Sequence, residues 1–369
     1  MTPFNITNRA VDDSVFQVSD GTSQEFLEKF QSTYKFDINP DLTSEQRYEL
    51  LNLLYKYKDV FAKDLLEIKA CKNYEMDIPL RTNRKIYKRQ YRLNQEDTAE
   101  ADRQISQMLK AGIIEESQDM EYNSPYFLVA KKNGTKRLVV DLRAINEIIV
   151  PKLVQIPKIT HLIEEITSQK PTFLSSIDLF SGFWQVPIRQ RARPVTSFIA
   201  PTGIHYQFTR TPFGLCNSSH ALASALLGLF SDKQRFRNLY LYVDDILAIA
   251  SSFPEHLTTL EVMLENLKSN DFTCNPEKFS FCYSELEYLG YRISANSIRI
   301  SKRRVDAVTK IQPPKNVKGL QRLMGLFNFF KRHIPKYAHK TARLLSVVCL
   351  LYTSPSPRDR TRSRMPSSA

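Results

Sequence analysis

Two short apolar runs interrupted by acids stand out along this chain. At 239–250 the run LYLYVDDILAIA is apolar except for Asp244 and Asp245 at its middle, and at 172–179 the run TFLSSIDL carries Asp178 at its end. Runs of this length, rich in Leu, Ile, Val and Tyr, predict buried strands. Carboxylates inside such strands would lose hydration and repel each other, so the paired acids predict a tight hairpin turn at one sheet edge. Further strands are expected at 124–130 and 136–142, joined by the Asn-Gly turn KKNGT, at 198–200 and 202–208, and around a hairpin turn at 289–291. Helices are expected from the capping box at Thr43 and Gln46, whose apolar face is Leu50, Leu53, Leu54 and Tyr57, and at 96–112, 159–169, 219–230 and 256–269. Residues 1–40 read as polar and unpatterned. The order from 172 onward, strand, helix, strand, strand, helix, strand, is that of a ferredoxin-like split unit in an α+β fold.

Composition narrows the partner. The chain has 369 residues and a formal charge of +13, which suits a polyanion such as nucleic acid. Six basic residues and no acid fall within 81–92, with Tyr87 and Tyr91 between them. That stretch suits either phosphate tracking or a plain solvated surface. No apolar run approaches the ~20 residues of a membrane span. Met1 to Ala10 lacks a secretory pattern, and the five cysteines form no Cys-x-x-Cys pair, so an intracellular, cytoplasmic setting is expected. From Cys349 the sequence CLLYTSPSPRDRTRSRMPSSA turns to Ser, Pro and Arg, and three successive blocks match an in-frame translation of a transposase-type sequencing adapter. Residues 349–369 are therefore expected to be a non-native tail, with the natural chain continuing past Val348; without the tail the charge is still +10.

The acids suggest the chemistry. Asp178 ends one strand, Asp244 and Asp245 cap a neighbouring hairpin, and in a split sheet the three converge. Hard oxygen ligands suit two Mg2+ ions, with Mn2+ as substitute, which would activate a primer hydroxyl and stabilise departing pyrophosphate. After Asp178 come Leu179, Phe180, Ser181, Gly182 and Phe183. Their backbone amides suit a triphosphate, Gly182 permits close approach, and Phe183 suits an aromatic floor that excludes a ribose 2′-hydroxyl. Lys131, Lys132, Lys136 and Arg137 make the hairpin at 131–137 cationic, as a cover for the nucleotide requires. Aspartates at turns and aromatic residues in cores are common, so a bland structural role stays open for each residue taken alone.

Together the segments SPYFLVAKKNGTKRLVVDLRAIN, IDLFSGFWQVPI, FTRTPFGLCN, LYVDDILAIA and EYLGYRIS resemble the reverse transcriptases of gypsy-type long-terminal-repeat retrotransposons and retroviruses. The resemblance runs from roughly residue 36 to 345. It implies a right-hand polymerase of fingers, palm and thumb with an antiparallel palm sheet, using deoxynucleoside triphosphates on an RNA or DNA template-primer duplex. It implies Asp178, Asp244 and Asp245 as catalytic acids and metal ligands, with Leu179 joining them. Lys131 and Arg137 would contact the triphosphate, and Phe213 would shape its pocket. Tyr242, Leu289, Gly290 and Tyr291 would hold the primer. Gln321, Gly325 and Phe329, at i, i+4 and i+8 on one helix face, would follow the duplex minor groove. Lys278 would protonate pyrophosphate.

The implied organisation is an N-terminal extension at 1–75, fingers and palm at 76–295, thumb at 296–348, and the tail. Protease, ribonuclease H and integrase modules are expected elsewhere in a virus-like-particle polyprotein. The run Ser218-Ser219-His220-Ala221-Leu222-Ala223-Ser224 departs from the family's usual Ala-Pro and Thr-Phe-Gln-like pattern. Two alternatives stay open: a non-catalytic nucleic-acid-binding remnant, and an RNA-synthesising palm polymerase.

Overall fold

The computed structural model describes residues 24–131, 134–153, 157–331 and 334–352, and its contacts divide the chain into two units, Met1–Ile298 and Arg299–Ala369. The first unit runs α1 (Gln24–Tyr34), β1 (Asp37–Ile38), α2 (Ser44–Lys56), α3 (Gln95–Lys110), β2 (Ile114–Glu116), β3 (Tyr126–Ala130), β4 (Lys136–Val140), α4 (Arg143–Ile148) and α5 (Ile159–Ser168). It continues with β5 (Phe173–Asp178), β6 (Phe198–Ile199), β7 (His205–Phe208), α6 (Ser218–Leu229), β8 (Leu239–Tyr242), β9 (Asp245–Ala250), α7 (Phe253–Ser269), β10 (Ser280–Tyr283), β11 (Glu285–Tyr288) and β12 (Tyr291–Ser294). The division between units falls within β13 (Ser297–Ile300).

The central sheet has the order β1-β10-β5-β9-β8. Each neighbouring pair among β10, β5, β9 and β8 is antiparallel, in the fourth-first-third-second order of the ferredoxin-like split unit. Period-two alternation gives the sheet two buried faces. Ile177, Ile246 and Ala248 join the main core with Leu260 and Leu264 of α7, whereas Leu174, Leu247 and Ile249 join a second cluster with Ile163 of α5, Tyr288 of β11 and Tyr291 of β12. Burial on both faces explains why β9 is apolar at every position after Asp245. Each fully buried Ile or Leu contributes roughly 1.5–3 kcal/mol.

Several elements differ from the sequence expectation. Residues 24–38 are not unpatterned: α1 buries Leu27 and Phe30, and β1 pairs in parallel with β10. Their partners lie far along the chain, as where Phe36 packs edge-on against Phe61 and Phe281. Leu50, Leu54 and Phe61 of this early segment are buried in the first unit's core. Strand β2 was not anticipated; its three residues pair with β7, 90 to 94 positions away. Helix α7 starts at Phe253 rather than 256, with Pro254 in its first turn, where a missing N–H costs nothing.

The second unit holds α8 (Lys302–Thr309), α9 (Val317–Phe330) and α10 (Tyr337–Tyr352). Asn316 caps α9, its side chain accepting from Gly319 N–H at 2.8 Å. The expected tail begins inside α10, and residues 353–369 lie outside the described residues. Among the described residues no helix is long and apolar enough to cross a membrane.

Candidate active site

The sheet places Asp178 directly opposite Asp245 in the β5–β9 ladder, and Tyr242 opposite Asp245 in the β8–β9 ladder. Directly opposed residues on one sheet face have Cβ atoms about 4.5–5.5 Å apart. Asp178 shares its parity with Leu174, and Asp245 with Leu247, so both stand on the face away from α7. Val243 and Asp244 form the intervening two-residue turn. Val243 takes φ +60°, a conformation that costs a β-branched residue, and Asp244 is exposed beside its neighbour.

Charge is concentrated here. Burial, then the Asp244 and Asp178 carboxylates, push the Asp245 carboxyl up to about 6. Burial also raises Asp178, and Lys278 opposes the shift. Lys278 Nζ donates to Asp178 Oδ1 at 2.9 Å. Among the described residues no three acidic, His or Cys side chains stand close enough to form a ready metal cage. The donor set nonetheless fits a hard divalent cation: it is all carboxylate oxygen, crowded and under-neutralised. Leu179 follows at 3 % exposure and could serve a metal only through its main-chain carbonyl.

The segment after Asp178 is held from below. Asn275 N–H donates to the Asp178 carbonyl at 3.0 Å, and Phe180 N–H donates to the Thr273 carbonyl at 3.0 Å. Ser181 adopts the left-handed conformation before the 3-10 turn Gly182–Gln185. A Cβ on Gly182 would come within 3.1 Å of Leu222 Cδ2, so this glycine admits close packing of α6. The divergent run at 218–224 therefore still forms a helix that supports the site. Sequence reasoning missed Gln185. Fully buried, it donates to the carbonyls of Phe180 (2.8 Å) and Thr273 (2.7 Å) and accepts from Thr273 N–H (2.8 Å). Its place in an aromatic run concealed it; a lone polar residue at the end of a run that must turn was the available signal.

The aromatic and cationic candidates also meet. Phe213 packs edge-on against both Phe183 and Trp184 at 5.3 Å, and the Arg137 guanidinium lies 5.3 Å from the Phe213 ring centre. Lys131 is exposed at the end of the β3–β4 hairpin, where its N–H bonds the Thr135 carbonyl; Lys132 lies outside the described residues. Lys136 is not on a free cationic tip. It pairs with Glu96 and Asp97 at 2.7 Å, and Gln104 bonds the backbone of Lys136 and Leu138, so α3 carries the hairpin.

Leu289 and Gly290 form the tight β11–β12 turn with φ of +50° and +76°. Tyr291 is buried, Tyr242 is half-buried against the same cluster, and the Tyr288 hydroxyl donates to the Asp245 carbonyl at 3.4 Å. Burial and the Asp245 charge hold the Tyr288 hydroxyl protonated. In the second unit Gln321 and Gly325 are exposed on α9, and a Cβ at Gly325 would meet nothing within 4 Å. Phe329 belongs to α9, but its side chain lies outside the described residues.

Residues 129–293 match the family model described as reverse transcriptase (RNA-dependent DNA polymerase). The chain is 30 % identical over 327 residues to the retrovirus-related Pol polyprotein from transposon opus of Drosophila melanogaster, covering 86 % of this chain and 32 % of that protein. It is 28 % identical over 296 residues to the transposon Tf2-3 polyprotein of Schizosaccharomyces pombe, covering 79 % of this chain and 22 % of the relative. This chain thus spans about a third or less of those relatives. Among solved structures it resembles a foamy viral protease-reverse transcriptase in complex with dsDNA, with TM-score 0.76, 25 % identity, and 92 % and 69 % of the two chains covered. A foamy viral protease-reverse transcriptase in complex with an RNA/DNA hybrid gives TM-score 0.73 at 24 % identity, covering 91 % of this chain and 45 % of that one.

Proposed function

We propose that this chain, a member of the reverse transcriptases of long-terminal-repeat retrotransposon Pol polyproteins, extends a primer with deoxynucleotides along an RNA or DNA template. The observation that carries the reading is the Asp178–Asp245 opposition where β5 ends and β9 begins, with Asp244 in the adjoining turn. Asp178, Asp244, Asp245 and the Leu179 carbonyl would hold Mg2+. When bound, such ions supply the positive charge that phosphoryl transfer requires at the attacking and leaving oxygens.

This chain's own groups do the positioning. Arg137, with Lys131 beyond it, would neutralise the triphosphate, and its place over Phe213 brings that charge to the aromatic group. Phe183, fixed edge-on by Phe213, would lie beneath the sugar and exclude a 2′-hydroxyl. The Leu289-Gly290 turn with Tyr291 and Tyr242 would seat the primer end. Gln321, Gly325 and Phe329 would line the thumb's contact with the minor groove. Deoxynucleoside triphosphates, a template-primer duplex and the other Pol modules are the expected partners.

Primer extension on poly(rA) with oligo(dT) tests the reading, with duplex binding measured alongside. The wild type should extend the primer, and Asp244→Asn should lose nearly all turnover while binding duplex normally. Two equally inert proteins that both bind would favour a non-catalytic remnant.

A further inference from the structure

Lys278 is built into the floor of the acid cluster. It ends the 3-10 turn Pro276–Lys278, whose cap residue Asn275 bonds the carbonyl of Asp178 itself (3.0 Å), so the backbone brings the lysine within reach of that carboxylate. On the exposed outer side of the turn Lys35 Nζ meets Glu277 Oε1 at 2.6 Å, a solvent-facing pair that contributes little to holding it. The Lys278 ammonium reaches Asp178 Oδ1 at 2.9 Å, while its side chain stays 59 % exposed against 21 % for Asp178. No packing change is needed for the lysine to swing away.

We propose that Lys278 is a place-holding cation: in the metal-free protein it neutralises Asp178, and it must leave that carboxylate before Asp178 and Asp245 could hold a divalent ion. This deepens the polymerase reading and rests on it. The lysine keeps two opposed carboxylates compatible with a folded sheet, and it competes with the metal for one of them. A half-exposed ion pair is weak and screened by water, so the competition is modest and reversible.

Mn2+ binding to the full chain, without nucleotide or duplex, tests this through the paramagnetic signal of the free ion. Lys278→Gln should bind Mn2+ about two- to fivefold more tightly than wild type. Lys278→Arg, which keeps the charge, should not. Lys35→Gln removes a charge from the neighbouring surface without touching Asp178 and should leave the affinity unchanged. Equal or weaker binding by Lys278→Gln, or the same gain in Lys35→Gln, overturns the place-holder while leaving the metal site intact. Absence of Mn2+ binding in all four proteins overturns the metal-site reading and the place-holder with it.

Discussion

Asp178 and Asp245 oppose each other across adjacent antiparallel strands, and the Lys278 ammonium sits 2.9 Å from the first of them. A sheet position that sets carboxylates face to face is destabilising unless a cation joins them. The fold thus holds a repulsive pair in place at the cost of stability, as a preorganised ion site requires.

That cost should be measurable. The Asp245 carboxyl titrates near 6 in the fold against the usual 3.8, so the folded state holds its proton to higher pH than the unfolded chain. Its destabilising effect is absent below about pH 4, grows through pH 4–6, and is complete above it. Discounted for the solvent that still reaches it, the penalty is about 1 kcal/mol. In EDTA, Asp245→Asn should be about that much more stable than wild type at pH 7.5 and indistinguishable from it near pH 3.8, as read from urea unfolding at both.

His256 gives a pH dependence of opposite slope. It is buried under β5, its Nε2 lies 2.7 Å from Ser175 Oγ, and burial lowers it to about 4. The unfolded chain binds this proton near pH 6.5, so stability is full above 6.5 and is lost as pH falls toward 4, by about 3 kcal/mol. His256→Gln, which keeps a polar partner for Ser175, should flatten the fall in melting temperature between pH 6.5 and 4. An unchanged slope would place the acid sensitivity elsewhere.

Gln185 joins the loop after Asp178 to Thr273 through three hydrogen bonds, both of those to Thr273 buried. Gln185→Ala leaves those backbone groups unpaired and should cost about 2–4 kcal/mol in chemical denaturation. Gln185→Glu, which keeps the acceptor and loses both donors, should also be destabilising.

If Phe183 closes the sugar pocket, Phe183→Val should raise the ratio of ribonucleotide to deoxynucleotide incorporation by about tenfold or more, within the ~10²-fold range of a steric pocket. Steady-state incorporation of each nucleotide separately measures this. A lower deoxynucleotide rate with an unchanged ratio would assign the ring to packing against Phe213 alone.

The site was more legible in the sequence than its surroundings, for a physical reason. The acids at 178, 244 and 245 break runs that are otherwise apolar, and only a sheet edge or turn accommodates that, so local pattern and outcome coincide. Helix α1 and strand β1 were overlooked because Phe30, Tyr34 and Phe36 have meaning only once Tyr55, Phe61 and Phe281 pack against them. Lys136 was taken for a free cation because Glu96 and Asp97, its partners, lie 40 and 39 residues upstream. Gln185 could not declare its role until Thr273, 88 positions later, lay beside it. Local runs expose strands and turns; pairings between distant polar groups become visible only in three dimensions.

The most direct measurement of the metal site is the anomalous scattering of Mn2+ in crystals of the full chain with template-primer and an incoming nucleotide. A peak about 2.0–2.2 Å from carboxyl oxygens of both Asp178 and Asp245, with Lys278 displaced, is the expected result. Manganese bound elsewhere, with the Asp178–Lys278 contact intact in a complex that holds nucleotide, would contradict it.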